Sequence, residues 1–406
     1  MFKKILKSYD YTFILVLVLL SIFGLVMVYS SSMVTAVQKY GWESDFFYQK
    51  QKLHLMLAAV IFLFMALFPY KILLNKKFLG VIVFGSLFGL SALFIFGKTV
   101  GNAISWFEIG SRSIQPSEFV KIGVIIYLSA IYAKKQSYIN EFNKGVIPPI
   151  IYLVLVCLLV AIQPDFGTAS IIFAIAGTII ISSGMNFRNI MKLIIMGLVI
   201  ILPILLIMKD NIFSEERLSR ITVLSDPFSD AVAQDAGYHL VNSYIAIGSG
   251  GINGLGLGQS VQKLGYLPEA HTDFIMAIIA EELGIWGVLF VLLSLGFIVL
   301  RGIYTAVRCR DPFGSLLAIG ISSMIGIQSF VNLAGVSGLI PLTGVPIPFV
   351  SYGGSSLLQL SFAMGILVNV SMFVRYEQKY KHKQVDKKTV PQKKVNASKY
   401  RFPTKA

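Results

Sequence analysis

Runs of about 20 consecutive apolar residues recur along this 406-residue chain. Each is long enough to cross roughly 30 Å of hydrocarbon as a helix. A chain built this way has few options. Lipid cannot hydrogen-bond backbone N–H and C=O groups, so the segments must satisfy their own, as helices do. Composition agrees: 55% of residues are hydrophobic and 14% charged, against about 25% charged in a soluble chain. The expected fold is an all-α polytopic membrane protein. Its ten transmembrane helices fall at about 11–31, 53–69, 78–97, 116–133, 147–163, 167–184, 189–208, 272–300, 314–336 and 353–374. The first run is too long for a removed signal and lacks a cleavage-type ending, so it reads as an anchor.

Lysine and arginine orient the bundle. Lys3, Lys4 and Lys7 precede the first span, and Lys71, Lys76 and Lys77 follow the second. Lys134, Lys135 and Lys144 follow the fourth, Arg188 and Lys192 the sixth, and Arg301, Arg308 and Arg310 the eighth. With ten spans all of these lie on one side, which the positive-inside rule makes cytoplasmic. Both termini are then cytoplasmic. Residues 1–376 form the transmembrane domain. Residues 377–406 form a basic tail too poor in apolar residues to fold alone, suited to rest on anionic lipid. Much of the net charge of +15 lies in that tail, so it is no nucleic-acid signal. Cys157 and Cys309 are not placed to pair, and neither has a metal-ligand neighbour.

The unusual residues gather in the outer loops 32–52, 98–115, 164–166, 209–271 and 337–352. Loop 209–271, between spans seven and eight, is by far the longest, which hints at function in a compact bundle. Within it, Tyr238, Val241, Tyr244 and Ile245 have helical spacing. They predict a short helix over Asp235–Gly248, lying in the interface or packed on the bundle. Gly248–Gly258 matches no dinucleotide or P-loop pattern and predicts tight, re-entrant backbone. Pro341–Ser356 is too rich in Pro and Gly for a helix and predicts a structured loop dipping into the bundle.

Charged residues at membrane depth need a reason. Glu118 and Lys121 share a helix face at i, i+3, either neutralising each other or lining a substrate cavity. Asp165, in the hairpin Gln163–Thr168, reads first as a cap on the following helix. Arg217 and Arg220 suit bidentate contact with pyrophosphate, or ion pairs with Glu215 and Glu216. Lys263 is a second phosphate candidate. The stretch 259–284 passes from a polar loop ending at Pro268 to an apolar helix, with His271, Thr272 and Asp273 in or near its first turn. Asp273 then sits at the membrane mouth. It is either a proton acceptor for a substrate in the bilayer surface or a helix cap. Apolar surroundings raise its pKa and a helix dipole lowers it.

Taken together, these blocks resemble the SEDS family (shape, elongation, division and sporulation) of bacterial cell-wall glycosyltransferases, the family of FtsW and RodA. The resemblance rests on Trp106, Gln115–Lys121, Gln163–Thr168, Ala246–Gly251, Gly256–Gly258, Gln262–Lys263, Tyr266–Phe274, Glu281–Gly284 and Pro341–Ser356, in family order over residues 1–376. The wording of Tyr266–Phe274 is closer to the division or sporulation branch than to the elongation branch, and the chain as a whole most resembles the cell-division branch. Ser105 stands where the family often has a basic residue, and His239 and Asn242 where Gln is common.

The resemblance implies polymerisation of lipid II into glycan strands at the outer face of the bacterial cytoplasmic membrane, at the division septum. Asp273 falls on the family's essential aspartate. Trp106, Glu118, Lys121, Arg217, Arg220, Lys263, His271 and Ser351 become candidate substrate contacts. Implied partners are a class B penicillin-binding protein, other divisome membrane proteins and the lipid bilayer, with no nucleic acid and no organic cofactor. Forming a β-1,4 linkage from an α-linked pyrophosphate inverts the anomeric carbon, so one base suffices, without the paired carboxylates of a retaining glycosidase. Arg217, Arg220, Lys263 or a divalent cation, Mg or Mn, bridging Asp273 and the substrate phosphate would stabilise the leaving group. A flippase for the same lipid-linked precursor is the alternative, and a structural scaffold a third. A translocation path needs polar lining from face to face, whereas here the polar blocks sit on one side.

Overall fold

The hydrophobic runs are helices in the structure, a computed structural model that describes residues 2–100, 103–109, 112–207, 223–224, 227–228 and 237–381. A short helix α1 (Phe2–Leu6) is followed by α2 (Tyr11–Tyr40), α3 (Phe46–Leu67), α4 (Lys76–Phe96), α5 (Pro116–Lys134), α6 (Ile147–Ile162), α7 (Phe166–Ser182) and α8 (Phe187–Ile207). After residues outside the described set come α9 (Tyr238–Gly250), α10 (Ile275–Arg308), α11 (Pro312–Val336) and α12 (Gly354–Tyr376). Eight helices among the described residues are long and apolar enough to cross a membrane. The 17-residue α7 is apolar but shorter, and the 21-residue α8 stands at the seventh expected position. Arg217 and Arg220 lie outside the described residues, as does the tail beyond Lys381; Glu377–Lys381 is a π-helical turn that prolongs α12.

Local sequence sets several helix starts. Asp10 caps α2 by accepting from Phe13 N, Asn75 caps α4 at Lys77 N, Asp165 caps α7 at Thr168 N, and Asp311 caps α11 at Gly314 N. Asp165 thus does what its turn position predicts. Proline opens α5 and α11, where the first N–H has no helical partner to lose.

The helices are sorted by burial. The apolar stretch of α12 is 83% buried and that of α5 72%, whereas α3 and α4 are each 22% buried. Outer helices turn apolar stripes away from the protein: Val81, Phe84, Phe88 and Ile95 of α4 are between 69% and 77% exposed at helical spacing. In water such a stripe would be a liability, and in lipid it is the solvated face. At the C-terminal end of α3, Asn369 of α12 clamps the two helices, accepting from Tyr70 N at 3.0 Å and donating to Ala66 O at 2.6 Å.

One segment departs from the all-α expectation. Residues 98–114 form a small antiparallel meander, β1 (Lys98–Val100), β2 (Ala103–Ile109) and β3 (Arg112–Ile114), in the order β1-β2-β3. Ile104 N donates to Gln163 O, and Ser355 Oγ donates to Ser113 O, so the sheet bridges the α6–α7 hairpin and the start of α12.

Helix α9 lies two to three residues beyond the expected position and packs on the bundle. Leu240, Ser243 and Ala246 are buried, and Ser243 Oγ donates to Val336 O at 3.1 Å. Its apolar face with Ile245 stays exposed. Beyond it the glycine-rich backbone is re-entrant, as its composition predicts. It meets α10 where that helix breaks, at Gly284 (φ 62°, ψ −153°). The groups freed by the break are taken up by the loop. Leu255 N donates to Glu281 O, Gly256 N to Glu282 O, and Ile285 N to Ile252 O. Irregular backbone at membrane depth is tolerated on that condition.

Gly284 is accordingly a strong test of the break. A Cβ there would sit 2.3 Å from Ile252 O, in a backbone region reserved for glycine. Gly284→Ala should lower the thermal midpoint in detergent, through a loss of at least about 1–3 kcal/mol. Gly248→Ala in α9, whose Cβ meets nothing within 4 Å, should not lower the midpoint.

Candidate active site

Asp273 lies just ahead of α10, not within it. Pro268 and Thr272 suggest an earlier start, but the helix begins at Ile275. Phe274 occupies the cap position without a side-chain cap bond. Thr272 Oγ1 turns back to Glu269 instead, contacting its O at 3.2 Å and Oε2 at 3.0 Å. Thr272 N and Phe274 N also donate to Glu269 O. This web holds Glu269 at φ 56°. Such a left-handed backbone costs a non-glycine residue about 1–3 kcal/mol, and persists where the surroundings over-determine it.

The loop facing Asp273 is the Pro- and Gly-rich segment 341–353, which dips into the bundle as expected. Gly24 of α2 lets it in, since a Cβ there would sit 2.3 Å from Phe349 O. Phe349 has φ 65°. Asn332 of α11 ties the two loops together: its Nδ2 donates to Asp273 O at 2.9 Å and to Val345 O at 2.8 Å. Tyr352 N donates to His271 O at 2.9 Å. Gln51 of α3 completes the clamp, donating to Ser351 O and accepting from Gly353 N. Thr343 packs on Gly167, and a Cβ on its neighbour Gly344 would stand 3.6 Å from Asp273 Oδ2. The α6–α7 hairpin and Asp273 therefore line one loop.

The Asp273 carboxylate receives no hydrogen bond among the described residues, and it caps nothing. Burial, and next the negative charge of Glu269, push its pKa up to about 7. Of the two opposing effects the sequence suggests, desolvation wins, because the helix N-terminus starts two residues further on. A carboxylate half-ionised near neutrality, with its lone pairs unspent, is what a general base requires.

The other candidates occupy different settings. Lys263 is 2% exposed and its Nζ lies 2.7 Å from Glu282 Oε1 and 3.1 Å from Ser30 Oγ. It is a buried structural charge, not an open phosphate contact. Its position in a polar loop hides this, because the partner lies inside an apolar helix. His271 is buried against Phe47 and near Tyr352, with ring centroids 4.4 and 5.6 Å away. Burial holds its pKa below the usual histidine range, so it is neutral at pH 7 and carries no cation toward a pyrophosphate. Ser351 Oγ accepts from Ile347 N at 3.0 Å and closes the turn of the dipping loop. Trp106 is half-buried on β2, opposite Lys98.

Glu118 and Lys121 form the pair their spacing predicts, 2.8 Å apart and buried, with Glu118 Oε2 left without a partner. Asp165 senses both charges, and burial raises its pKa. The sequence reading missed Asn332, Gln51, Ser30 and the roles of Glu281 and Glu282. A signal existed for each: they are polar or charged groups in or beside apolar spans.

The comparisons with known proteins fit this arrangement. The family model described as "Cell cycle protein", FtsW/RodA/SpoVE, matches residues 10–376. The chain belongs to the FtsW/RodA/SpoVE family. It is 57% identical over 387 residues to "Probable peptidoglycan glycosyltransferase FtsW" of Bacillus subtilis (strain 168), covering 95% of this chain and 96% of that protein. It is 36% identical over 369 residues to "Stage V sporulation protein E" of the same organism, covering 91% and 98%. Among solved structures it shares its fold with a chain described under "Structural coordination of polymerization and crosslinking by a peptidoglycan synthase complex". That match has a TM-score of 0.69 and 22% identity, over 91% of this chain and 99% of that one. The rod shape determining protein RodA of Thermus thermophilus gives 0.63 and 22%, over 89% and 96%.

The raised pKa of Asp273 makes a prediction about stability. Its native pKa of about 7 lies above the unfolded value near 3.9. The native state therefore holds a proton that the unfolded state releases between those values, so stability falls as pH rises from about 4 to about 7 and the full cost of ionising Asp273 is present above that. Asp273→Asn should raise the thermal midpoint at pH 8 and change it little at pH 4. An unchanged or lower midpoint at pH 8 would show that the carboxylate is not held in a desolvated site.

Proposed function

We propose that this chain polymerises lipid II into β-1,4-linked glycan strands at the outer face of the bacterial cytoplasmic membrane, as a peptidoglycan glycosyltransferase of septal wall synthesis. The observation that carries the mechanism is the Asp273 carboxylate, without a hydrogen-bond partner among the described residues and with a pKa near 7, ahead of α10 and facing the dipping loop. Ionised Asp273 takes the proton from the acceptor sugar's hydroxyl as that oxygen attacks the anomeric carbon of the donor. The carbon–oxygen bond to the lipid pyrophosphate breaks from the opposite side, so a single displacement converts the α-linkage to β. General-base action of this kind contributes about 10²–10⁴-fold.

Charge on the departing pyrophosphate needs a partner. Lys263 and His271 are committed elsewhere, which leaves Arg217 and Arg220 as the proposed contacts. No group of three or more His, Cys, Asp or Glu is placed to hold a metal among the described residues. The two free oxygens of Asp273 fit an ion that takes most of its ligands from substrate and water, as Mg does. A divalent cation, Mg or Mn, between Asp273 and the pyrophosphate would supply charge neutralisation there.

Charge placement speaks against the flippase alternative. No charged residue occurs in 11–38 of α2, 283–300 of α10, 312–336 of α11 or 354–374 of α12. Among the described residues the buried charges Glu118, Lys121, Lys263, Glu281 and Glu282 lie toward the Asp273 end, and Asp10, at the other end, is held at the start of α2 by Arg301 and Arg375. In the proposed topology both termini are cytoplasmic and Asp273 faces outward, supported by the lysine and arginine distribution. A class B penicillin-binding protein as partner is supported by the fold likeness to a chain from a complex that couples polymerisation to crosslinking. Enrichment at the septum, among other divisome membrane proteins, is supported by the name of the Bacillus subtilis relative.

Asp273→Asn tests the assignment, since it keeps the shape and removes the base. The variant should insert and fold, yet lose polymerisation of labelled lipid II, assayed with a partner transpeptidase, by at least about 10²-fold. Full-length glycan at near wild-type rate would sink the catalytic role.

A further inference from the structure

At the opposite end of the bundle the proposed reaction leaves a second set of charges unused. Asp10 is fully buried at the start of α2. Its Oδ2 meets Arg301 Nε at 2.6 Å and Arg375 Nη2 at 2.8 Å. Asp10 Oδ1 is occupied by the helix cap, and Arg375 Nη1 also donates to Tyr9 O. The carboxylate therefore fixes both guanidinium groups in place. Arg301, held through Nε, keeps its terminal nitrogens free of any acceptor among the described residues. Tyr304 stacks against its guanidinium, 5.0 Å from ring centroid to Cζ.

These groups border open space. A cleft of about 110 Å³ is lined by Asp10, Arg301, Thr305, Ser371 and Arg375. It continues, sharing Arg375 and Gln378, into one of about 360 Å³ whose walls include Lys7, Ser8 and Lys379. Four cations against one carboxylate leave a surplus of three positive charges. Fixed arginines with spare donors match a phosphate group, and mobile lysines at the rim add to the field. We propose that this cleft binds the phosphodiester headgroup of an anionic phospholipid.

The shared chemistry is a phosphate anion, which a soluble phosphate also offers, and the surroundings favour the lipid. The helices that frame the cleft present exposed apolar side chains beside it. Tyr11 and Leu15 of α2 are 60% and 56% exposed, and Leu300 and Val307 of α10 69% and 79%. Acyl chains would lie on those faces while the headgroup enters the cleft. Basic pockets between helices at the cytoplasmic end of a membrane protein bind anionic lipid in this way. The proposal rests on the topology above only in assigning the inner leaflet. Binding measured in detergent does not depend on that assignment.

The test uses the full chain in neutral detergent, following its thermal midpoint as phosphatidylglycerol, phosphatidylcholine or inorganic phosphate is added. The expected result is a saturable rise with phosphatidylglycerol alone. Lys7→Gln with Lys379→Gln removes two rim charges that pair with nothing among the described residues, so the fold should be kept. This double variant should raise the half-saturating phosphatidylglycerol concentration by at least roughly tenfold. Lys76→Gln with Lys77→Gln removes the same charge elsewhere on that face and should leave it unchanged. An equal response to phosphatidylcholine, an equal response to inorganic phosphate, or equal weakening by both double variants would overturn the proposal.

Discussion

The site depends on one buried ion pair. Lys263 and Glu282 meet at 2.7 Å with 2% and 0% of their side chains exposed, and Ser30 of α2 hydrogen-bonds both. A lone buried charge costs several kcal/mol, so neither residue is tolerable at this depth without the other. The pair therefore fastens the loop after α9 to α10 and to α2 at once. Glu281 adds to it, accepting from Ser260 Oγ, Val261 N and Gln262 N. These bonds lie just before the break at Gly284, where the loop satisfies the freed backbone groups. Five residues beyond Lys263 the chain enters the turn that carries Asp273.

That anchoring explains how an unsatisfied carboxylate survives beside the bundle. Asp273 is positioned through its backbone, by Asn332 and the Glu269 turn, so its side-chain oxygens need not take part in holding it. Strain gathers in the same place: Glu269 and Phe349, on the two facing loops, both adopt left-handed backbone. A desolvated carboxylate and two strained residues are costs that a fold optimised for stability alone would remove. Such costs are characteristic of functional sites.

Much of this was legible in the sequence. Helix positions followed from apolar run length, because lipid leaves the backbone no alternative. Glu118–Lys121 was legible because i, i+3 is a local relation. Asp273 stood out through its place at a loop-to-helix boundary and through the family resemblance. Three things were not legible, each for a non-local reason. Lys263 looked open because its partner is 19 positions away inside an apolar helix. The start of α10 shifted because Thr272 bonds to Glu269 rather than to the helix. The meander of 98–114 was hidden because its strands are short and are braced by Gln163 and Ser355, remote in sequence. The pair Glu281–Glu282 was visible all along, and two acids in an apolar helix call for partners in the loop before it.

The central claim is that Asp273 acts as a base whose desolvated site brings its pKa to about 7. The most direct measurement is the pH dependence of the lipid II polymerisation rate at saturating substrate and divalent cation, compared between wild type and Glu269→Gln. The account predicts that wild-type activity is lost as pH falls through about 7. It also predicts that the limb moves to lower pH when the neighbouring negative charge is removed. A rate that stays flat down to pH 5, or a limb that ignores the Glu269 substitution, would contradict it.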